Sequence, residues 1–406
     1  MPSQSASLAL DLPARLQLPW QARRLVRHLA KLRRGSLVVD LHGRRFTLGG
    51  QEAGPAAAIR VHRPGALLRR LFWRGDLGFG EAFVAGDWES ADPATLLELM
   101  AINLDAFAGS GERHLMTRVL SALQHWRNRN SRSGSRRNIA AHYDLGNDFY
   151  REWLDAGMTY SSAVFDGGGT LEQAQQRKYE RMLALVAPSP GQHILEIGCG
   201  WGGFAEYAAR RGYRVTGLTL SREQLAYARQ RIAHAGLADR VELRLCDYRD
   251  FDEQVDHVVS IEMFEAVGRA YWETYFASLA RCLRPGGRVA LQVITIDAAQ
   301  FDDYAANPGG FIQTYIFPGG MLPTEDHLAR LGRDSGLEAT VTHRYGADYA
   351  ATLAHWHDTF NACTGWLEAH GYDARFRRMW RYYLAFCEAG FRAGHIDVVQ
   401  CAFRKP

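Results

Sequence analysis

Apolar positions in the second half of the chain fall in short clusters, at 194–197, 215–218, 241–245, 255–260 and 289–293, each followed by a longer stretch of mixed polarity. Short apolar runs bounded by turn residues read as strands buried on both faces, and the stretches between them have helical length and spacing. Alternation of this kind predicts an α/β fold with a doubly wound parallel sheet. Local punctuation agrees: Ser221-Arg-Glu-Gln224 has the form of a capping box opening a helix that runs through Arg231, and Leu283-Arg-Pro-Gly-Gly287 predicts a break before a central strand. Further strands at 337–342 and 397–403 would complete the sheet.

The first part of the chain is patterned differently. Two strands, LVVDLHG (37–43) and RRFTLGG (44–50), and a helix over 93–107 are expected there. Residues 12–35 carry seven Lys/Arg and no acid, with Leu25, Leu29 and Leu32 at i, i+4 and i+7 beside Trp20 and Ala22. The segment predicts a basic amphipathic helix, which either lies on an anionic membrane surface or shows a solvated basic face over a small core. A second basic stretch runs through Arg60, Arg63, Arg69, Arg70 and Arg74. The third, RNRNSRSGSRR at 127–137, has five arginines, no acid and no large apolar residue, the composition of a linker. Three parts follow: a smaller, largely helical, membrane-associating N-terminal domain at 1–126, a basic linker at 127–137, and the α/β domain at 138–406.

Composition changes this picture little. A chain of 406 residues has room for two domains, and 47% hydrophobic with 23% charged residues is ordinary soluble composition. No apolar run approaches the roughly 20 residues of a membrane span, and the N-terminus lacks the apolar core of a signal peptide. A cytoplasmic protein, peripheral on the inner face of the membrane, is expected. The six cysteines (199, 246, 282, 363, 387, 401) form no CxxC pair, which favours reduced thiols over disulfides or zinc. Histidines are dispersed, and no metal is expected.

The chemistry is most legible at Ile194 to Ala205, ILEIGCGWGGFA. Gly198, Gly200, Gly202 and Gly203 let backbone N–H groups approach a ligand, and the helix that follows adds positive partial charge at its N-terminus. Glycines 198, 200 and 203 also satisfy the dinucleotide fingerprint GxGxxG, but an NAD site wants an acid at the end of the second strand. That strand ends in Gly217-Leu218-Thr219-Leu220-Ser221, with no carboxylate. Glu196, by contrast, stands just before the turn, where it can accept hydrogen bonds from a cationic amino-acid tail or order the loop. The motif, including Cys199 inside the turn, resembles motif I of S-adenosylmethionine (SAM) methyltransferases.

Five further blocks specify more. They are NIAAHYDLGNDFYREWLD (138–155), MTYSSAVF (158–165), SIEMFEAVG (260–268), LQVITI (291–296) and FIQTYIFPGG (311–320). Together they resemble the cyclopropane-fatty-acyl-phospholipid synthase family, including its mycolic-acid methyltransferase relatives, from about residue 138 to the C-terminus. A weaker likeness, GDLGFGEAF at 75–83 with Gly86-Asp-Trp88, extends into the N-terminal domain. The resemblance implies methyl transfer from SAM to a cis double bond of a phospholipid acyl chain, followed by proton loss to a bound bicarbonate as the ring closes. It assigns Tyr160, Ser161, Gly198 and Gly200 to the SAM amino-acid end, Thr219 and Gln224 to the ribose, and Asp247 with Tyr248 to the adenine. Glu265 and Tyr315 stand where the family surrounds bicarbonate, while Ser162 replaces the usual Cys and Gln292 the usual His. Both replacements still donate hydrogen bonds, but neither titrates near neutrality.

An alkene is a weak nucleophile, and its alkylation needs proximity to the methyl donor and exclusion of water. The resulting cation needs π-electron or negative surroundings, for which Tyr143, Phe149, Phe264, Tyr315 and Phe317 are near the motifs. Loss of a proton from the new methyl group gives a cyclopropane when the ring closes and a methylene branch when it does not. The expected activity is therefore cyclopropane formation on unsaturated phospholipid at an anionic membrane surface, with a methyl- or methylene-branched product as the alternative because Ser162 and Gln292 alter the base. An RNA methyltransferase would also use the basic segments, but no RNA-binding module is recognisable and nucleic acid is not expected. A non-catalytic lipid- or SAM-binding protein is the remaining reading. The C-terminal aromatics Trp356, Phe360, Trp380, Tyr382, Tyr383 and Phe386 have near-helical spacing and read mainly as core, in part as an acyl channel. The oligomeric state is left open, a homodimer among the options.

Overall fold

The structure, a computed structural model, describes residues 19–107, 145–307 and 309–406. The basic linker 127–137 and residues His142, Tyr143 and Asp144 lie outside the described residues. The chain forms two compact units. One contains the N-terminal residues together with Gly309–Phe311 and Thr364–Ala393; the other contains the remainder of the chain after Leu123. A single cut at the linker does not describe this partition, because the helix Ala374–Arg392 packs on the helices Pro64–Ala85 and Pro93–Ala101 of the first unit.

In the first unit four strands, β1 (Arg34–Leu41), β2 (Arg44–Gly49), β3 (Glu52–Val61) and β4 (Trp88–Glu89), form a sheet in the order β2-β1-β3-β4. The helix Trp20–Leu29 precedes it, and its apolar face is already used: Ala22, Leu25, Val26, Leu29 and the following Leu32 are buried. The apolar face of the basic helix is thus spent on a core, which leaves its basic face as the part free to meet a surface. Arginines of the second basic stretch are also committed, Arg60 to Asp40 and Glu89, Arg63 and Arg70 to Asp87, and Arg74 to Glu81. The expected helix over 93–107 stops at Ala101 and resumes only at Leu104–Phe107. Between them the buried Asn103 accepts from the N–H groups of Arg33 and Arg34 at 2.9 Å, holding the entrance to β1.

The second unit is built on a seven-stranded sheet of β5 (His193–Ile197), β6 (Arg214–Thr219), β7 (Val241–Leu245), β8 (Val255–Ile261), β9 (Leu283–Ile296), β10 (Glu338–Arg344) and β11 (Ile396–Arg404). Its order is β10-β11-β9-β8-β5-β6-β7. The five strands expected to be parallel pair in parallel, and β11 runs antiparallel to both β9 and β10. Successive strand residues point to opposite faces: Leu195, Val258, Val289 and Leu291 enter one apolar core, and Ile194, Val259 and Ala290 enter another. Helices cover both, Trp272–Cys282 over the first, and Leu171–Val186, Gly203–Ala209 and Arg222–His234 over the second. The segment at Pro285 to Gly287 does not break the chain as expected. It is absorbed as a bulge in β9, where the register against β8 shifts between Val255 and His257.

The order places β5 at the turning point of the winding. From β5 the chain proceeds outward to β6 and β7, then returns to lay β8 on the other side of β5. Ligands of doubly wound sheets bind beyond the carboxyl ends of the strands at this switch. Two segments begin there, the glycine-rich turn after Ile197 and the segment from Glu262 after Ile261.

Candidate active site

The turn after β5 is held from below. The N–H groups of Gly198 and Cys199 both donate to Leu218 O on β6 at 2.9 Å, and Gly202 N–H donates to Cys199 O at 2.8 Å. Gly198 has φ 85°, and a Cβ there would meet Met263 Cγ at 2.9 Å; Gly200 has φ 50° and faces open space. The first glycine serves close packing, and the second leaves room for a ligand above the loop. Cys199 is buried, and burial holds its thiol well above the usual range, which leaves it a packing residue. Gly202 is the N-cap of Gly203–Ala209.

Glu196 is buried at the end of β5, and its Oε2 makes no hydrogen bond among the described residues. Burial pushes its carboxyl up to about 8, against the opposing pull of Arg231 and Lys178. An orphaned carboxylate oxygen beside an open glycine turn fits the cationic amino-acid tail of SAM. On β6 and the following helix, Thr219 donates to Gln224 Oε1 at 3.2 Å, and Ser221 Oγ accepts from Gln224 N–H at 3.2 Å. Only this half of the expected capping box is used by the Ser221 pair, since the Gln224 side chain turns to Thr219 instead. The two residues assigned to a ribose are thus brought together. Asp247, buried after β7, is gripped by Arg249 through both oxygens, at 2.8 and 2.6 Å. Tyr248 lies edge-on to Tyr275 at 5.1 Å between ring centroids.

A binding prediction follows from Glu196. The ammonium of bound SAM favours the ionised carboxylate, so binding near pH 7 is expected to release up to about one proton per site. Titration calorimetry in buffers of different ionisation enthalpy measures this release. The Glu196→Gln variant should show none, and a wild-type enthalpy independent of buffer would remove Glu196 from the site.

Ahead of the turn, Tyr160 sits among aromatic rings, 5.5 Å from Tyr150, 5.5 Å from Trp153 and 5.3 Å from Trp356. Phe149 and Phe264 are buried against other rings, and Phe360 closes on Trp153. Ser161 Oγ accepts from Lys178 Nζ at 2.6 Å, and Ser161 O accepts from Gln175 Nε2 at 3.0 Å. The helix Leu171–Val186 therefore holds this segment of the site with two side chains.

Ser162 and Gln292, fully buried, meet at a residue that motif reading did not single out. Both donate to Glu262 Oε1 at 2.7 Å, from Ser162 N–H and from Gln292 Nε2. Glu265, one 3-10 turn further on, accepts from Ile294 N–H at 2.5 Å, while its Oε2 is enclosed without a hydrogen bond among the described residues. Burial first, and then the neighbouring Glu262, push the Glu265 carboxyl up to about 8. Tyr315 has a different setting, 38% exposed at the end of the short helix Phe311–Tyr315. Tyr304, whose hydroxyl accepts from Leu322 N–H at 3.2 Å, is electrostatically coupled to Glu265.

Sequence reasoning passed over Lys178, Glu262, Trp201, Asn147 and Tyr349. Trp201 Nε1 donates to Asn147 Oδ1 at 2.7 Å, tying the entry segment to the glycine turn. Lys178 carried a usable signal, because it shares one helical face with Ala174, Met182 and Val186, all buried, and a cation on an apolar stripe is costly without a purpose. Among the described residues no group of His, Cys, Asp and Glu could hold a metal ion.

Comparison with known proteins agrees with this geometry. Residues 130–401 match the family model of mycolic acid cyclopropane synthetase. The chain is 42% identical to tuberculostearic acid methyltransferase UfaA1 of Mycobacterium tuberculosis (strain ATCC 25618 / H37Rv), over 85% of this chain and 82% of that protein. It is 36% identical to the cyclopropane-fatty-acyl-phospholipid synthase of Escherichia coli (strain K12), over 86% of this chain and 88% of the relative. Its fold matches the crystal structure of mycolic acid cyclopropane synthase CmaA1 complexed with SAH and CTAB, with a TM-score of 0.62 and 32% identity, covering 66% of this chain and 98% of that one. With two thirds of its length inside that model and a half-buried glutamate pair beside a glycine-rich nucleotide turn, the chain belongs to the mycolic acid cyclopropane synthetase family of SAM-dependent enzymes.

Proposed function

We propose that the protein transfers the methyl carbon of SAM to the cis double bond of an unsaturated fatty acyl chain in a phospholipid, forming a cyclopropane. Bound SAM supplies an electrophilic methyl group. The protein's own residues do the rest. Gly198 to Gly203, with Glu196, Thr219, Gln224, Asp247 and Tyr248, hold the donor. The rings around Tyr160 exclude water and face developing positive charge, each contributing about 0.5–2 kcal/mol when close to the cation. The observation that carries the reading is the meeting of two half-buried glutamates, Glu262 and Glu265, with the nucleotide turn at one switch point of the sheet.

A second product is favoured by one feature. Gln292 and Ser162 donate to Glu262 instead of framing a free ion, and a relative at 42% identity is named for methyl transfer where one at 36% is named a cyclopropane synthase. A methyl- or methylene-branched chain is that alternative, the methylene form equal in mass to the ring product. Incubation with methyl-labelled SAM and vesicles of monounsaturated phospholipid, followed by NMR of the extracted lipid, tests both. Label in ring CH2 supports the first product and label in a methyl or exocyclic methylene branch the second. Label absent from lipid, with vesicles in excess, refutes the function.

Among the described residues no helix is long and apolar enough to cross a membrane. The substrate is reached at a surface in this reading, with the exposed Trp20, Phe72 and Trp73 and the arginines of the basic helix toward anionic lipid. Each cation near such a surface contributes about 1 kcal/mol. Binding to anionic liposomes should therefore fall steeply with salt, as measured by flotation; equal binding to neutral vesicles in high salt would contradict it.

A further inference from the structure

Glu262 is built into the fold in a way that a solvated acid is not. Its backbone lies in the left-handed region at φ 50°, where a residue other than glycine is strained. Three donors converge on its carboxylate: Ser162 N–H and Gln292 Nε2 at Oε1, and the Tyr349 hydroxyl at Oε2, each at 2.7 Å. Gln292 cannot turn away, because its Oε1 accepts from Gln400 Nε2 at 3.1 Å and its backbone carbonyl accepts from Glu262 N–H at 2.8 Å. Lys178 adds attraction from the helix Leu171–Val186, and burial raises the basicity of the carboxylate above that of a solvated one.

Ser162 and Gln292 are also two of the residues that the family resemblance places around bicarbonate. In this chain that ion does not fit. The amide of Ser162 and the side-chain nitrogen of Gln292 are engaged by Glu262, and the Ser162 hydroxyl donates to Ala163 O at 3.0 Å. An added anion would face the hydrogen-bonded carboxylate of Glu262, and like charges in an enclosed site repel strongly.

We propose that the Glu262 carboxylate takes the place of the free anion and accepts the proton lost after methyl transfer. In that step a C–H bond of the newly attached methyl group breaks, its proton passes to a Glu262 oxygen, and its electron pair forms either the closing C–C bond of the ring or the C=C bond of a methylene branch, cancelling the adjacent positive charge. The carboxylic acid then returns its proton to solvent. Glu265, whose Oε2 makes no hydrogen bond among the described residues, remains beside the cation as an acceptor. The assignment rests on the proposed acyl-chain reaction and fixes which group supplies its base.

Turnover of the wild-type protein in carbonate-free buffer is the first test. The expected rate changes by less than about twofold on adding bicarbonate, since the internal base is already in place, whereas a stimulation of about tenfold or more overturns the assignment. The second uses Glu262→Gly, which removes the carboxylate and relaxes the left-handed residue. Its turnover should fall by about 100-fold in carbonate-free buffer and recover with added bicarbonate. By NMR of 13C-labelled bicarbonate, without SAM present, the ion should bind this variant and not the wild type. Undiminished carbonate-free turnover of Glu262→Gly, or bicarbonate bound to the wild type, overturns the proposal. Failure of the wild type to label any unsaturated lipid would refute the acyl-chain reaction itself, a distinct result.

Discussion

Replacing Lys178 by methionine is expected to destabilise the protein by about 3–5 kcal/mol, the usual cost of removing one partner from a buried charge cluster. Lys178 is fully buried and attracts Glu262, Asp155 and Glu196, and its ammonium donates to Ser161. Burial lowers its own affinity for the proton to about 8, less than desolvation alone would because the carboxylates pull the other way. Methionine fills the same volume, so the loss comes from carboxylates left without a cation rather than from a cavity. Urea unfolding at neutral pH measures the effect. Adding Glu262→Gln should recover much of it, because the orphaned charge is then gone; a double variant as unstable as the sum of the singles would show that Lys178 and Glu262 do not act on one another.

Glu265→Gln is expected to lower kcat/KM by about 10²- to 10⁴-fold while leaving the fold intact. Glutamine keeps an oxygen for Ile294 N–H, so the hydrogen bond that places the side chain survives. What is lost is a carboxyl that can ionise as the cation forms. The same substitution has a signature in stability. The folded-state carboxyl is raised to about 8 from 4.5, so the native protein holds this proton more tightly than the unfolded chain. Its contribution is complete below about pH 4.5 and is lost as pH rises toward and through 8. The wild type should therefore lose stability relative to Glu265→Gln between those values, as read from thermal unfolding across pH. A flat difference would mean that Glu265 is not buried in the way described, and an unchanged kcat/KM would remove it from the reaction.

The parallel strands were legible because each buries both faces and so reads as an apolar run, as at 194–197 and 255–260. The nucleotide turn was legible because strand, glycines and helix are contiguous. Strand β3 was not, since Glu52 to Ala58 are mostly small residues with no large apolar alternation, and its pairing to β1 is what makes it a strand. The grouping of Thr364–Ala393 with the N-terminal residues was hidden for the same reason, being a contact over a long span of chain. Within the candidate site, residues carried by local motifs were legible, and contacts joined across the fold were not. Tyr349 and Glu262 stand 87 positions apart, and nothing local to either announces their hydrogen bond. Lys178 is the exception, a charge on a buried stripe that pattern alone could have flagged.

The central claim is that a carboxylate at the switch point takes a proton from the carbon that was transferred. SAM carrying a fully deuterated methyl group, turned over with monounsaturated phospholipid in ordinary water, tests it through the mass and NMR spectrum of the product. Two of the three deuterons should remain on the added carbon, with one lost to solvent, whether the product is ring or methylene. Retention of all three on that carbon would place the proton loss elsewhere on the chain and contradict the account.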